Sequence, residues 1–216
     1  MIHHLALQNP LVSTIVAELR DVNIQKDRLR FRTNLERLGA FFAFKISETL
    51  PTKTIKVTTP LGIANCTVIA EQPVLATILR AGLPLHSGLL QYFDQADNAF
   101  ISAYRHHHKS GKFTIKLEYA SYPDLDGRTL IIADPMLATG ASMRLTIQQL
   151  LNEAKPKHIH VVTAVACTEG IDQLRRNFKD ITIWAATIDD ELTAKGYIVP
   201  GLGDAGDLSY GTKKQQ

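Results

Sequence analysis

Three loops in the sequence carry residues whose types and spacing suit the binding of anions. The first is Leu79-Arg80-Ala81-Gly82-Leu83-Pro84, at the end of an apolar run. Arg80 offers a permanent positive charge and a planar fork of donors, and Gly82 permits unusual backbone angles and close approach to an oxyanion. The alternative is an arginine that only pairs with a carboxylate at a strand end. The residue types leave both interpretations open.

The second loop runs from Ala133 to Ser142 and separates an apolar run from an amphipathic helical pattern. Thr139, Gly140 and Ser142 at a helix start would offer backbone N–H groups, hydroxyl donors and the positive end of a helix dipole, which together suit a phosphate. The GxxxxGK[ST] pattern is missing, so this is not a Walker loop. The alternative is a capped turn in which Asp134 only satisfies backbone donors.

The third loop runs from Gly196 to Asp207 and contains a literal GxGxxG at Gly201, Gly203 and Gly206. Only ten residues follow Gly206, too few for the helix and second strand that a dinucleotide site needs, so we reject that interpretation. So many glycines beside two aspartates favour a loop whose backbone touches a small ligand. A surface turn remains the alternative.

The segments that must position these loops have the pattern of an α/β protein. Short apolar runs separated by helical segments predict a parallel sheet covered on both faces, with ligands outside the carboxyl ends of its strands. The predicted strands are Val74 to Leu79, Ala99 to Tyr104, Leu130 to Ala133, Ile159 to Ala166 and Ile181 to Ile188. The predicted helices between them are Pro84 to Phe93, Ser142 to Ala154 and Glu169 to Phe178.

The predicted organisation is a single domain, residues 1–216, in four parts. Helical patterns fill residues 1–52, and residues 53–70 alternate around Thr59-Pro60-Leu61-Gly62, which predicts a β-hairpin with one face covered, an arm suited to subunit contact. The α/β core takes residues 71–190. A short irregular tail takes residues 191–216.

Bulk composition narrows the class of protein. The 24 basic and 21 acidic residues are spread along the chain with a net charge of +3, and no basic stripe indicates nucleic-acid binding. No stretch of about 18 apolar residues occurs, and the N-terminus lacks the apolar core of a signal peptide. We therefore expect a cytoplasmic protein.

Taken together, the three loops resemble the signature blocks of the uracil phosphoribosyltransferases. The first two blocks, Ile78 to Leu83 and Asp134 to Ser142, are shared more loosely with other phosphoribosyltransferases. The third, Tyr197 to Asp207, is specific to this family. Further similarity lies at Leu19-Arg20-Asp21, Tyr104-Arg105 and Tyr210-Gly211-Thr212. The resemblance therefore spans nearly the whole chain.

The resemblance implies a type I phosphoribosyltransferase fold, a parallel β-sheet flanked by helices with a small hood, here formed by the 191–216 tail. It also implies a reaction: uracil and 5-phosphoribosyl 1-diphosphate (PRPP) give UMP and diphosphate, with Mg²⁺ as cofactor. In that scheme Arg80, Arg105 and Asp204 are the catalytic residues. The implied PRPP-binding residues are Arg80, Arg105, Asp134, Pro135, Met136, Leu137, Ala138, Thr139, Gly140, Ala141, Ser142 and Asp204. The implied uracil-binding residues are Ile198, Gly203, Asp204 and Ala205.

Some relatives are activated by GTP, so the resemblance also names GTP as a candidate effector, and it favours a homodimer or homotetramer. Two other functions stay open: an RNA-binding pyrimidine regulator with the same fold, and a phosphoribosyltransferase for another base. This chain departs from the family pattern at three places. Ala141 stands where the family pattern has a glycine, and Leu208 stands where it has a basic residue. The third departure is His106-His107-His108-Lys109-Ser110-Gly111-Lys112, where the family pattern has an acidic stretch. This segment fits a lid or, more simply, a hairpin turn.

Overall fold

A central, mostly parallel β-sheet positions the three loops. The structure, a computed structural model, describes residues 1–107 and 113–212, without the side chains of residues 103–118. In chain order the strands of these ranges are β1 (Ile2–His4), β2 (Thr52–Thr59), β3 (Gly62–Ile69), β4 (Val74–Leu79), β5 (Asp97–His107), β6 (Phe113–Ser121), β7 (Thr129–Ala133), β8 (Met136–Leu137), β9 (His158–Cys167), β10 (Ile181–Asp189), β11 (Glu191–Leu192) and β12 (Ile198–Val199). The α-helices are α1 (Pro10–Arg20), α2 (Arg28–Ser47), α3 (Leu83–Leu90), α4 (Ala141–Glu153), α5 (Thr168–Asn177) and α6 (Ala205–Tyr210).

The main sheet has the strand order β1-β10-β9-β7-β4-β5-β6, and β8 pairs with β9 outside this path. Its neighbours pair in parallel except β6, which runs antiparallel to β5. All five predicted strands are present, within three residues at each end. The prediction missed β1 and β6, which lie at the two edges.

Helices cover both faces of the sheet, as the uniform apolar runs predicted. Successive residues of a strand point to opposite faces, and in β7 Ile131 packs into one core while Ile132 packs into the other. Helices α1, α2, α3 and α6 contribute to the first core. Helices α4 and α5 contribute to the second. This three-layer arrangement leaves the strand ends as the place where loops can meet.

The hairpin was predicted correctly in its strands and wrongly in its surroundings. Strands β2 and β3 pair in antiparallel register around a turn, with Thr59 opposite Gly62. Every residue of β2 is exposed, so neither of its faces is covered within this chain. The expectation of a covered face took alternation of apolar residues as a sign of burial. Ile55 and Val57 of β2 are instead 37% and 38% exposed, and the alternating residues of β3 are only partly buried.

The tail is more ordered than predicted. Strands β11 and β12 form a small antiparallel ladder, and α6 follows directly, capped by the Asp204 side chain, which accepts a hydrogen bond from the Asp207 N–H at 2.9 Å. Elements of two and six residues are too short to show a period in the sequence. None of the helices in the described ranges combines the length and hydropathy of a membrane span.

Candidate active site

The three loops meet at the carboxyl ends of neighbouring strands. Strands β4 and β7 pair in parallel, with Thr77 opposite Ala133, so the first and second loops leave the sheet side by side. The third loop reaches the first, since a Cβ built on Gly206 would lie 3.9 Å from the Ala81 Cβ. The sheet thus brings the predicted site segments into one region.

The second loop forms a small cleft at the start of α4. The cleft is lined by Asp134 and by residues 136–143. Gly140 has φ of +76°, a left-handed conformation that only glycine adopts at little cost, and it turns the chain into the helix. The Thr139 hydroxyl accepts a hydrogen bond from the Ala141 N–H at 3.3 Å. The first turn of α4, whose N–H groups have no partner within the helix, lines the cleft and can meet an anion there.

The departure at Ala141 has no structural consequence. Ala141 is the first helical residue, and positive φ in the described residues occurs only at glycines. The left-handed turn is made by Gly140 alone. An alanine therefore fits where relatives have a glycine.

Gly170 supports the cleft from behind, and sequence analysis gave it no role. A Cβ on Gly170 would lie 2.4 Å from the Ala138 carbonyl oxygen, and a Cβ on Gly140 would lie 2.9 Å from the Gly170 oxygen. The first turn of α5 therefore packs directly on the backbone of the second loop. A glycine in the first turn of a predicted helix was the one signal that could have suggested this contact.

Asp134 is the titratable group most affected by the site. Its burial raises the pKa of the carboxyl from 3.8 to about 7, the Met136 N–H opposes this, and the charge of Asp204 adds to it. The Met136 N–H lies 3.3 Å from Asp134 Oδ1. Burial and the charge of Asp204 thus act in the same direction, and without a cation Asp134 holds a proton readily near neutral pH.

Arg80 lies at the mouth of the site with its side chain 42% exposed. Its Nη2 donates to Asp207 Oδ1 at 3.4 Å and to the Gly211 carbonyl oxygen at 3.2 Å. The carboxylate pairing that the sequence left open is therefore present, but it is long and exposed, so Arg80 can still serve an anion. The arginine joins the first loop to the tail.

Gly82 has a different role from the one expected. Its φ is −71°, an ordinary helical value, so no unusual backbone angle is needed. A Cβ there would lie 2.3 Å from Thr77 Oγ1 and 2.6 Å from the Ala133 carbonyl oxygen. Glycine is required because the first loop lies directly against β4 and β7.

The third loop is anchored at both ends. Ile198 is buried and pairs with Leu192 across the β11–β12 ladder, and Ala205 is buried at the start of α6. Between them Gly203 is exposed and has φ of +95°. Asp204 is partly buried and caps α6. A short backbone segment is thus presented from two fixed supports.

Leu208, the second departure, has a packing role. Its side chain is partly buried against the core that contains Ile198 and Ala205. A Cβ built on Gly203 would lie 3.9 Å from Leu208 Cδ1. Leucine therefore supports the third loop through apolar contact where relatives have a basic residue.

Two predicted features lie outside the described residues. The side chain of Arg105 belongs to the range whose side chains are not described, and so do those of the three histidines. Strands β5 and β6 pair in antiparallel register. Both interpretations of the segment from His106 to Lys112, a lid and a hairpin turn, stay predictions.

The carboxylates of the site do not form a complete metal site. Among the residues that the structure describes, no group of three or more histidine, cysteine, aspartate or glutamate side chains could hold a metal ion. Asp134 and Asp204 are the acidic residues predicted at the site. Such a pair suits Mg²⁺ that keeps most of its ligands from water and substrate phosphates.

Comparisons with known proteins agree with the site. The uracil phosphoribosyltransferase family model matches residues 6–212. A uracil phosphoribosyltransferase of Porphyromonas gingivalis is 51% identical over 211 residues, which cover 97% of this chain and 98% of that protein. One from Pyrococcus furiosus is 36% identical over 206 residues, which cover 94% and 87%.

Solved structures show the fold. The AQ2163 protein from Aquifex aeolicus superimposes with a TM-score of 0.87 at 30% identity, covering 98% of both chains. The hypoxanthine-guanine phosphoribosyl transferase of L. donovani has a TM-score of 0.50 at 12% identity over 75% of this chain and 84% of that one, so it supports the fold alone. The fold is the type I phosphoribosyltransferase fold, and the chain belongs to the uracil phosphoribosyltransferase family.

Proposed function

We propose that this enzyme transfers the phosphoribosyl group of PRPP to uracil, giving UMP and diphosphate in pyrimidine salvage. The observation that supports this most is the meeting of three different groups at one sheet edge. They are the helix-start cleft at Gly140, the pair of carboxylates Asp134 and Asp204, and the main-chain segment around Gly203. Together these groups suit a phosphate at the cleft, a ribose at the carboxylates and a planar base at the main-chain segment.

The 5-phosphate of PRPP would occupy the turn from Thr139 to Ser142. The left-handed Gly140 lets the backbone approach the phosphate closely, and the N-terminus of α4 adds a positive dipole end. The Thr139 and Ser142 hydroxyls complete the set of donors. Met136, Leu137 and Ala138 line the same cleft, and Pro135 lies between Asp134 and these residues in the chain.

Asp134 would accept hydrogen bonds from the ribose hydroxyls. Burial raises its pKa in the free protein, and hydrogen bonds from the ribose hydroxyls would stabilise the buried carboxylate. Binding of PRPP would then release a proton near neutral pH. Asp204 would lie beside PRPP and is the candidate for a proton acceptor, although the chemistry does not require an obligatory base.

Arg80 would face the diphosphate, with Arg105 as its proposed partner. The long contact of Arg80 with Asp207 can be exchanged for a diphosphate oxygen at small cost, because exposed ion pairs contribute about 0–1 kcal/mol. Charge builds on the leaving diphosphate as the bond to the anomeric carbon breaks. The guanidinium groups of Arg80 and Arg105 would stabilise that charge.

Uracil would be bound by main-chain groups of Ile198, Gly203 and Ala205, next to Asp204. These residues are anchored by the β11–β12 ladder and by α6, so their N–H and C=O groups have fixed directions. Fixed groups can distinguish donors from acceptors on the edge of a base. The reaction itself passes through an oxocarbenium-like state, so positioning and charge stabilisation provide most of the rate.

Mg²⁺ fits this site as a partner of PRPP. It would be held by PRPP and water beside Asp134 and Asp204, and it would neutralise diphosphate charge.

A cytoplasmic location, GTP as an effector and a homodimer or homotetramer stay predictions. The exposed β2–β3 hairpin supports a role of that arm in subunit contact. Light scattering with and without GTP tests the assembly.

The direct test is a UMP-formation assay with purified protein, uracil, PRPP and Mg²⁺. We expect UMP and diphosphate in equal amounts, dependent on all three additions. Protein that binds PRPP but forms no UMP from uracil would contradict the proposed function. Hypoxanthine, adenine and cytosine serve as matched bases in the same assay.

A further inference from the structure

An ion pair between the end of α1 and the end of β10 lies beneath the third loop. The Arg20 guanidinium meets the Asp189 carboxylate in bidentate geometry, with Nη2–Oδ1 at 2.6 Å and Nη1–Oδ2 at 2.9 Å. The Asp189 side chain is 7% exposed and that of Arg20 is 21% exposed. In the sequence, Arg20 stands out only through the family resemblance, and no local pattern indicates Asp189.

Both members of this pair also bind the backbone of Gly201. The Gly201 N–H donates to Asp189 Oδ2 at 2.9 Å, and Arg20 Nη1 donates to the Gly201 carbonyl oxygen at 3.1 Å. The two peptide groups of one loop residue are therefore fixed by the two halves of one ion pair. We call Arg20, Asp189 and Gly201 the loop clamp.

The loop clamp lies between the residues proposed to bind the base. Gly201 is three residues after Ile198 and two before Gly203. It has φ of +55°, and a Cβ there would lie 2.2 Å from the Ile198 carbonyl oxygen. The chain turns so tightly here that the position of Gly201 determines where Ile198 and Gly203 lie above the sheet.

The loop clamp is not expected to contribute much to the free energy of unfolding. Removing two charges from water costs about as much as their attraction returns, so a buried ion pair often adds little to the free energy of unfolding. Its geometry is directional, however, because a bidentate pair with two further backbone bonds permits one arrangement. A main-chain site for a planar base requires that its N–H and C=O groups point in fixed directions.

We propose that Arg20 and Asp189 are positioning residues that determine the enzyme's affinity and selectivity for the base. This inference rests on the proposed function. Neither side chain needs to touch uracil, since both act through Gly201. The cleft proposed for the 5-phosphate of PRPP is built from β7, α4 and α5, and Asp204 is held by its own capping bond at the start of α6. PRPP affinity should therefore not depend on the loop clamp.

Two conservative variants test the proposal. Asp189→Asn keeps the size of the side chain but removes the charge that Arg20 and the Gly201 N–H share. Arg20→Lys keeps a positive charge but loses the planar fork that binds both carboxylate oxygens and the Gly201 oxygen in one arrangement. The matched control is Glu18→Gln. It makes the same change from carboxylate to amide in the bidentate pair that Glu18, on α1 like Arg20, forms with Arg30 of α2.

The measurements are steady-state kinetics with uracil and calorimetric titration of PRPP. We expect kcat/KM for uracil to fall about 100-fold in Asp189→Asn, as for a misplacement of about 1 Å, with PRPP affinity unchanged. Arg20→Lys should show a smaller loss of the same kind. The double variant should lose less than the product of the two single losses, because both act on one residue.

The outcomes separate this inference from the proposed function. Parent protein that forms no UMP from uracil would overturn both. Active parent protein whose variants keep their kcat/KM for uracil, or lose uracil and PRPP binding equally, would overturn the loop clamp alone. If Asp189→Asn does not fold, Arg20→Lys decides by the same comparison, with Glu18→Gln as the reference for a change that leaves the loop in place.

Discussion

Asp134→Asn should make the protein more stable at pH 8 while removing its activity. In the parent, burial raises the pKa of this carboxyl from 3.8 to about 7, so the native state binds a proton more tightly than the unfolded chain between those values. The unfolding free energy therefore falls as pH rises from about 4 to about 7. Asparagine has nearly the same shape and does not titrate, so its variant should not show this loss.

The size of the effect follows from the pKa. The difference between 3.8 and about 7 corresponds to about 4 kcal/mol as an upper limit. Asp134 is only partly buried, so solvent in the cleft screens its charge and we expect about 1–3 kcal/mol. For a chain of this size, each kcal/mol changes the melting temperature by about 2–4 °C.

The assay is thermal unfolding of parent and variant between pH 4 and pH 8 at constant ionic strength. The melting temperature of the variant should exceed that of the parent at pH 8, and the difference should shrink below pH 7 and vanish toward pH 4. Asp172→Asn, at an exposed position on α5, is the control and should give curves parallel to the parent. Parallel curves for Asp134→Asn would refute the assignment of a raised pKa to this residue.

Three further predictions concern the loops. Arg80→Ala should reduce turnover far more than the melting temperature, because its side chain is exposed and its ion pair is long; equal activity in steady-state assays would contradict its role. Gly140→Val should abolish PRPP binding in calorimetry, since a left-handed backbone costs valine about 1–2 kcal/mol and its Cβ would lie 2.9 Å from the Gly170 oxygen. Gly127→Val, at φ of +69° with no atom near its Cβ, is the matched control and should keep PRPP affinity. Gly170→Ala should weaken PRPP binding, because the added Cβ would lie 2.4 Å from the Ala138 oxygen; unchanged affinity would show that the second loop adjusts freely.

The sequence predicted the parts of the fold that depend on long apolar runs. Strands such as β4 and β9 are buried on both faces, so their composition is uniform and easily recognised. Strand β1 has three residues, two of them histidines, and α6 has six residues, so neither shows a period. Strand β6 was missed because it alternates and lies at an edge, where uniform runs are not needed.

The candidate site was predictable where a loop itself provides the groups. Asp134 and Gly140 follow a buried strand and precede a helix, so their position at the ligand edge follows from order along the chain. Asp189 could not be found this way, because its partner Arg20 is 169 residues distant and no local pattern joins them. The role of Gly170 could not be predicted either, because glycine is needed there for a contact with a loop from another part of the chain.

Competition between uracil and cytosine in one assay tests the central claim most directly. Uracil presents an acceptor at its 4-oxygen and a donor at N3, whereas cytosine presents a donor and an acceptor at those positions. A backbone N–H and C=O matched to uracil would therefore leave two groups unpaired with cytosine, at about 1–3 kcal/mol each, and such sites reject a mismatched base by roughly 10⁴-fold. We predict UMP as the product, with cytosine refused to about that degree. Comparable kcat/KM values for the two bases would contradict the claim that the segment from Ile198 to Ala205 reads uracil.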